Sequence, residues 1–352
     1  MRLFPTLFPG GIFLLCWLWG CAPRSAPETP GPPPDRQDVT VEDVYFAHGN
    51  DRLAGSLFLP TAPGPHPAVA LVSGSEAHDR VYGGVGPALG RWFAGRGFVC
   101  LTWDKPGVGK STGDYTAQSF HDRAGEALAA VRFLLGRADV RGDRVGLWGH
   151  SQGGMVVPLA ASLSAEVAFV IEVAGWQGPA WEQDPVRVEA ELRAAHFPEA
   201  DVAEAVAFAR RRMDLIRGGR PFGELDRAQE TVMNRSWFVA VHRCDRVRFE
   251  SARRVVGHDS GPSWEGVRCP VLVIYGDKDT SSGPPDGLVT VIRRGLAKAG
   301  NRDVTVKIFR DADHSLRRPR EGGRKGEDDP EFVPGYLDTM TAWLTERFGH
   351  GR

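Results

Sequence analysis

Ser151 stands between Gly149 and Gly153 in the stretch RVGLWGHSQGG, residues 144–154. A serine hydroxyl is a weak nucleophile until a neighbouring base takes its proton. The stretch has two readings: a Gly-rich turn of an α/β fold, or a nucleophile elbow, a strained strand-to-helix turn that pushes a serine into a cleft. Context favours the elbow. Val145-Gly146-Leu147-Trp148 reads as a strand, and Met155-Val156-Val157-Pro158-Leu159-Ala160 opens a helix. Such a turn crowds the positions two residues either side of the serine, where a side chain has no room. The helix N-terminus also aims backbone amides and a positive dipole end at the serine oxygen.

An activated serine needs a base and an acid to orient it. In this arrangement the chain order is Ser, then Asp or Glu, then His. The acid belongs after the next-to-last strand, VLVIYG, where the loop DKDTSSGPP offers Asp277 and Asp279. Downstream lie only His314 and His350. His350 sits in the tail GHGR, whereas His314 follows the last strand in FRDADHSL, where a base hangs into a cleft. An oxyanion hole requires two backbone N–H donors. One is the residue after the nucleophile, Gln152. The other comes from Gly74-Ser75-Glu76, with Ser75 preferred because a carboxylate at Glu76 is unfavourable beside an oxyanion. His78 and Asp79 read as residues that order this loop.

These residues must be carried by a sheet. VTVEDVYFAH and DRLAGSLFLP alternate apolar and polar residues around a GND turn, the pattern of an antiparallel hairpin. Continuous apolar runs follow: AVALVSG, GFVCLTWD, RVGLWG, AFVIEVAG, VLVIYGD and VTVKIFRD. Runs of this kind mark parallel strands covered on both faces. Helical patterns separate them near 85–94, 119–136, 151–163, 287–299 and 336–348, so the body reads as a doubly wound, mostly parallel α/β sheet. Its two parts, 39–175 and 263–352, flank a segment, 176–262, that is charged and helical without a strand. That segment predicts a helical cap over the C-terminal edge of the sheet, where open α/β sheets bind ligands. Trp176, Trp181 and Trp237 within it line an acyl or aromatic pocket or pack the cap's own core.

The first 20 residues read as a signal peptide: Arg2 precedes an apolar run from Ile12 to Trp19, too short for the roughly 20 residues that span a bilayer. Leu18-Trp19-Gly20-Cys21 resembles the lipobox of bacterial lipoproteins, which makes Cys21 a lipidation site and a membrane surface the partner; a plain cleaved signal is the alternative. Residues 21–38, rich in proline, read as an extended tether.

The chain has 352 residues, a net charge of −1 and 25% charged residues. That balance lacks the basic bias of nucleic-acid binders. Five cysteines in such a chain do not make a disulfide framework. There is no HExxH, CxxC pair or Walker loop in the sequence. Oligomeric state is not legible.

Taken together, SGSEAHDR, WDKPGVGKSTGD, GHSQGG, YGDKDT and DADH resemble a serine esterase of the α/β-hydrolase superfamily. The likeness is nearest to the bacterial group related to prolyl-oligopeptidase and acyl-esterase catalytic domains. It implies the α/β-hydrolase fold and a Ser151–His314–Asp279 triad, since the family places its acid three residues after the glycine that ends the strand. It implies ester hydrolysis through an acyl-enzyme, without metal or organic cofactor, on a small-molecule ester. Asp104, Gly107, Gly109 and Ser111 match a loop that builds a tight structural turn. A thioesterase or a peptidase of the same fold is the nearest rival, and a non-catalytic surface lipoprotein is the rival of another class.

Overall fold

The computed structural model describes residues 39–318 and 331–349. The signal segment, Cys21, the tether up to residue 38 and His350 lie outside them. The first two strands, β1 (Thr40–His48) and β2 (Asp51–Leu59), pair antiparallel around Gly49 and Asn50. The remaining strands are β3 (His66–Val72), β4 (Val99–Trp103), β5 (Val140–His150), β6 (Val170–Val173), β7 (Val271–Gly276) and β8 (Val304–Phe309). The sheet order is β1-β2-β4-β3-β5-β6-β7-β8. Strand β2 joins β4 antiparallel, and every pair from β4 onward is parallel.

Every residue of β3, β4, β6 and β7 is buried, as the unbroken apolar runs require of strands sandwiched between helices. Helices α1 (Val85–Ala94), α2 (Phe120–Leu135) and α3 (Gln152–Leu163) follow β3, β4 and β5. The start of α2 is set by a capping box: Ser119 accepts from the Asp122 N–H while Asp122 accepts from the Ser119 N–H.

Between β6 and β7 the chain makes only helices: α4 (Ala180–Ala194), α5 (Glu199–Arg217), α6 (Phe222–Glu230), α7 (Phe238–Val241) and α8 (Arg246–Val255). They enclose two apolar clusters of their own, one around Val188, Leu192, Val206 and Trp237, the other around Ile216, Leu225 and Phe249. The segment leaves and re-enters the sheet at one place. The Ala180 N–H donates to the His258 carbonyl at 2.8 Å, and the Gly178 N–H to Ser260 Oγ at 3.0 Å. Helix α9 (Pro285–Lys298) follows β7, and α10 (Tyr336–Phe348) follows β8. No helix among the described residues is long and apolar enough to cross a membrane.

Candidate active site

The turn between β5 and α3 carries Ser151 at φ 56° and ψ −122°. A non-glycine residue at positive φ is strained, and it persists only where its surroundings over-determine it. Here they do. A Cβ on Gly149 would lie 2.3 Å from the Gly153 carbonyl oxygen, and one on Gly153 would lie 2.2 Å from the Val72 carbonyl oxygen on β3. Both approaches exclude any side chain, so the two glycines let the elbow fold against the neighbouring strand. The Ser151 N–H donates to the Val173 carbonyl of β6 at 2.9 Å, which locks the turn from the other side.

Three residues from three strand ends meet at this point. His314 Nε2 lies 2.9 Å from Ser151 Oγ, and His314 Nδ1 lies 2.9 and 3.1 Å from the two oxygens of Asp279. Asp279 has 7% of its surface exposed. Burial pushes its carboxyl up, but the His314 ring and the N–H groups of Ser281 and Ser282 outweigh that and hold it below the ordinary value. Asp277 is exposed and turned away, accepting the Asp311 N–H at 2.7 Å.

The loop after β3 closes the other side. A Cβ on Gly74 would lie 3.5 Å from the Ser151 Cβ, so the loop abuts Ser151. The buried Lys105 amino group donates to the Gly74 carbonyl and, at 2.8 Å, to the Glu76 carbonyl. Burial, and then the neighbouring Arg123 cation, push that amine well below its ordinary value. In a trans peptide the C=O and N–H point in opposite directions. Anchoring the Gly74 carbonyl on Lys105 therefore directs the Ser75 N–H away from Lys105, and Ser75 lines the cavity with Ser151. Arg123 donates to Gln152 Oε1 at 2.5 Å and to the Ser73 carbonyl at 2.7 Å. That holds the Gln152 side chain and leaves its backbone N–H at the start of α3. Among the described residues no acceptor takes the N–H of Gln152, Ser75 or Glu76.

A buried chain of hydrogen bonds ties this loop to the backbone of His314. His150 Nε2 faces the His314 carbonyl at 2.8 Å. A carbonyl only accepts, so Nε2 carries the proton and Nδ1 is the acceptor. The Tyr82 hydroxyl, 2.5 Å from Nδ1, donates to it and in turn accepts the Gly74 N–H at 3.2 Å. Burial lowers His150 to about 3 and raises Tyr82 to about 12, so both stay neutral and the direction of the chain is fixed. Asp79 orders the same loop, accepting the N–H groups of Val81 and Tyr82.

Beneath the elbow lies Glu172 on β6, fully buried. Its Oε1 accepts the Gly175 N–H at 2.5 Å, and its Oε2 has no partner among the described residues. Burial raises its carboxyl well above the ordinary value, and nearby Asp279 adds to the shift.

The cleft over Ser151 holds a cavity of about 910 Å³ walled by α4, α5 and α8, by the Gly74–Glu76 loop and by the His314–Arg317 loop. The predicted tryptophans do not line it. Trp237 is wholly buried in the cap's own core, Trp176 packs in the main core, and Trp181 lies under the Arg217 guanidinium at 4.8 Å. Trp148, from the strand before the elbow, does line it. Asp104 makes the expected turn, accepting from Arg80 and from the Lys110 N–H at 2.8 Å, while the Ser111 hydroxyl donates to the Asp104 carbonyl at 2.7 Å. Lys105, Arg123, Tyr82 and His150 escape the sequence reading. The signal available was a lysine inside an apolar-flanked turn and a histidine directly before Ser151.

The fold and this strand-end constellation define an α/β-hydrolase. The sequence model of the family described as serine aminopeptidase, S33, matches residues 63–319, nearly three quarters of the chain, and the chain belongs to that family. The expectation from the sequence motifs is the group related to prolyl-oligopeptidase and acyl-esterase domains; the family that matches is the serine aminopeptidase one. The chain is 32% identical over 135 residues to the esterase EstD of Thermotoga maritima, covering 37% of this chain and 30% of that protein. It is 30% identical over 130 residues to the polyketide transferase grgF of a Penicillium species, covering 35% and 40%. The chain thus spans well under half the length of these curated relatives. Among solved structures, an esterase of Pyrococcus furiosus superposes with a TM-score of 0.56 at 16% identity, over 91% of this chain and 94% of that one. The Penicillium GrgF structure superposes at 0.57 and 19% identity, over 88% and 99%. At these identities the likeness is one of fold.

Proposed function

We propose that this protein is a serine hydrolase that cleaves carboxylic esters through an acyl-enzyme. The observation that carries the reading is the unbroken line of hydrogen-bond distances from Ser151 through His314 to Asp279, 2.9 Å at each closest step. In this mechanism His314 Nε2 takes the Ser151 proton as Oγ attacks the ester carbonyl. Asp279 accepts the Nδ1–H, keeps the ring in the right tautomer and stabilises its cation. The backbone N–H groups of Ser75 and Gln152 receive the developing oxyanion. His314 then protonates the departing alkoxide; in the second half it takes a proton from the water that attacks the acyl-enzyme and returns it to Ser151 Oγ as the acid departs.

The family description names aminopeptidases, whose substrates present a cationic α-amino group. The acids Asp184 and Glu191 that line the cleft are both engaged by Arg187, and Asp184 also by Arg212. Only Glu76 remains as an acid without an ion pair on the cavity wall among the described residues. That electrostatic balance supports an ester over an aminopeptide substrate. Alanine at Ser151 is expected to abolish hydrolysis of short p-nitrophenyl esters and labelling by a fluorophosphonate, with an unchanged melting temperature. Retained turnover would remove Ser151 from the mechanism. We also propose export and a lipid anchor at Cys21, a reading that rests on the Ile12–Cys21 pattern alone.

A further inference from the structure

Beyond the reacting atoms, the cleft contains cations that its own acids do not balance. Arg187 and Arg212 pair with Asp184 and Glu191, and Arg243 with Asp226. Arg317 is different. It lines the same cavity three residues after His314, and its Nε is buried with no hydrogen-bond partner. Among the described residues no carboxylate, carbonyl or hydroxyl accepts from its guanidinium. Its guanidinium carbon faces the Phe332 ring, 6.0 Å from the ring centroid. Its backbone is held rigidly: the N–H donates to Asp313 Oδ1 at 2.9 Å, and the carbonyl accepts the Asp313 N–H at 2.8 Å. The loop that fixes His314 thus fixes Arg317 as well. Among the described residues, the remaining charges without ion pairs on the cavity wall are Arg248, exposed on α8, and Glu76, exposed on the loop after β3.

A partly buried guanidinium without an acceptor is costly, because desolvation is not repaid by a counter-charge. A ligand anion removes that cost when it arrives. We propose that Arg317 is a specificity-determining residue and that the substrate is an ester bearing a carboxylate, which Arg317 binds while Ser151 attacks the ester carbonyl. A single planar fork of donors matches one carboxylate in charge and shape. A phosphate dianion would call for a second cation at hydrogen-bond range. The inference rests on the ester-hydrolase reading of Ser151 and deepens it by naming the substrate class.

The test compares p-nitrophenyl hemiadipate and hemisuberate with the neutral hexanoate and octanoate, each rate taken above the uncatalysed background. For the wild-type protein we expect kcat/KM at least tenfold higher for the carboxylate member of a pair. In Arg317→Gln the ratio falls about tenfold or more, the loss of a hydrogen-bonded charge partner, and it falls mainly through KM. In Arg317→Lys part of the preference returns. Melting temperature and fluorophosphonate labelling check that each variant is folded with a competent serine; if Arg317→Gln does not fold, the wild-type ratio decides. Equal or better turnover of the neutral esters by the wild type overturns the inference and leaves the ester-hydrolase reading standing. So does a preference that survives in Arg317→Gln, or a fall shared equally by both members of a pair. No turnover of any of the four esters, with no fluorophosphonate labelling, overturns both.

Discussion

Replacing Glu172 by glutamine should make the protein more stable, and increasingly so as pH rises. Glu172 has no exposed surface, lies between the elbow helix and the start of the cap, and approaches Gly154 and Gly175 so closely that a Cβ on either would meet its Oε1 within 2.8 Å. The Tyr275 hydroxyl donates to the Gly175 carbonyl at 2.6 Å and also lies 3.3 Å from Glu172 Oε1, a longer contact that offsets little of the burial. Burial raises the folded-state pKa well above the ordinary value. The native state therefore holds one proton more than the unfolded state between the two pKa values. Stability is full below the unfolded pKa and is lost as pH rises through that window. The loss is at most about 1.4 kcal/mol per pH unit for one group, for as long as the pH lies between the two pKa values. Glutamine cannot titrate and keeps the shape and the acceptor for the Gly175 N–H. Urea unfolding of both proteins at pH 5, 6 and 7 measures the difference, and all other titrating groups cancel in it. Two parallel pH profiles would show that Glu172 is ionised in the folded protein and would refute the argument.

Asp279→Asn should cut turnover by several orders of magnitude by leaving His314 in the wrong tautomer, while Asp277→Asn should change it little; reversed effects in steady-state kinetics would move the acid to Asp277. Tyr82→Phe leaves the Gly74 N–H and His150 Nδ1 without partners. It should cost about 1–3 kcal/mol of stability and lower kcat about tenfold with little change in KM; an unaltered kcat would free the loop from dependence on this hydrogen bond. Cys21→Ser should shift the protein and its activity from the membrane to the soluble fraction of its host, and equal partitioning of both forms would leave an ordinary cleaved signal.

The sequence alone determined the features that local rules encode. Period-two alternation, unbroken Val/Ile/Leu runs and helical spacing each span a few residues, and they specify the strands, the hairpin and the strandless helical insertion. The elbow motif is likewise compact, with Gly149, Ser151 and Gly153 inside five residues, although what excludes a side chain at Gly153 is the Val72 carbonyl of β3. His314 was legible because chain order left one histidine at a strand end. What the tertiary structure decided depends on direction and on distant partners. Asp277 and Asp279 differ by two residues in one loop, and the residues quoted left both open until the family spacing was applied; the backbone after β7 turns Asp279 toward His314 and Asp277 toward the Asp311 N–H. Lys105 meets Gly74 across 31 positions and Tyr82 meets His150 across 68, separations that no periodicity reports. The cap tryptophans carry the same composition whether they line a pocket or fill a core, and only packing placed Trp237 inside. The Arg317 guanidinium, without an acceptor among the described residues, is the plainest case. A missing partner is a property of every neighbour at once, so it exists only when the chain has folded around it.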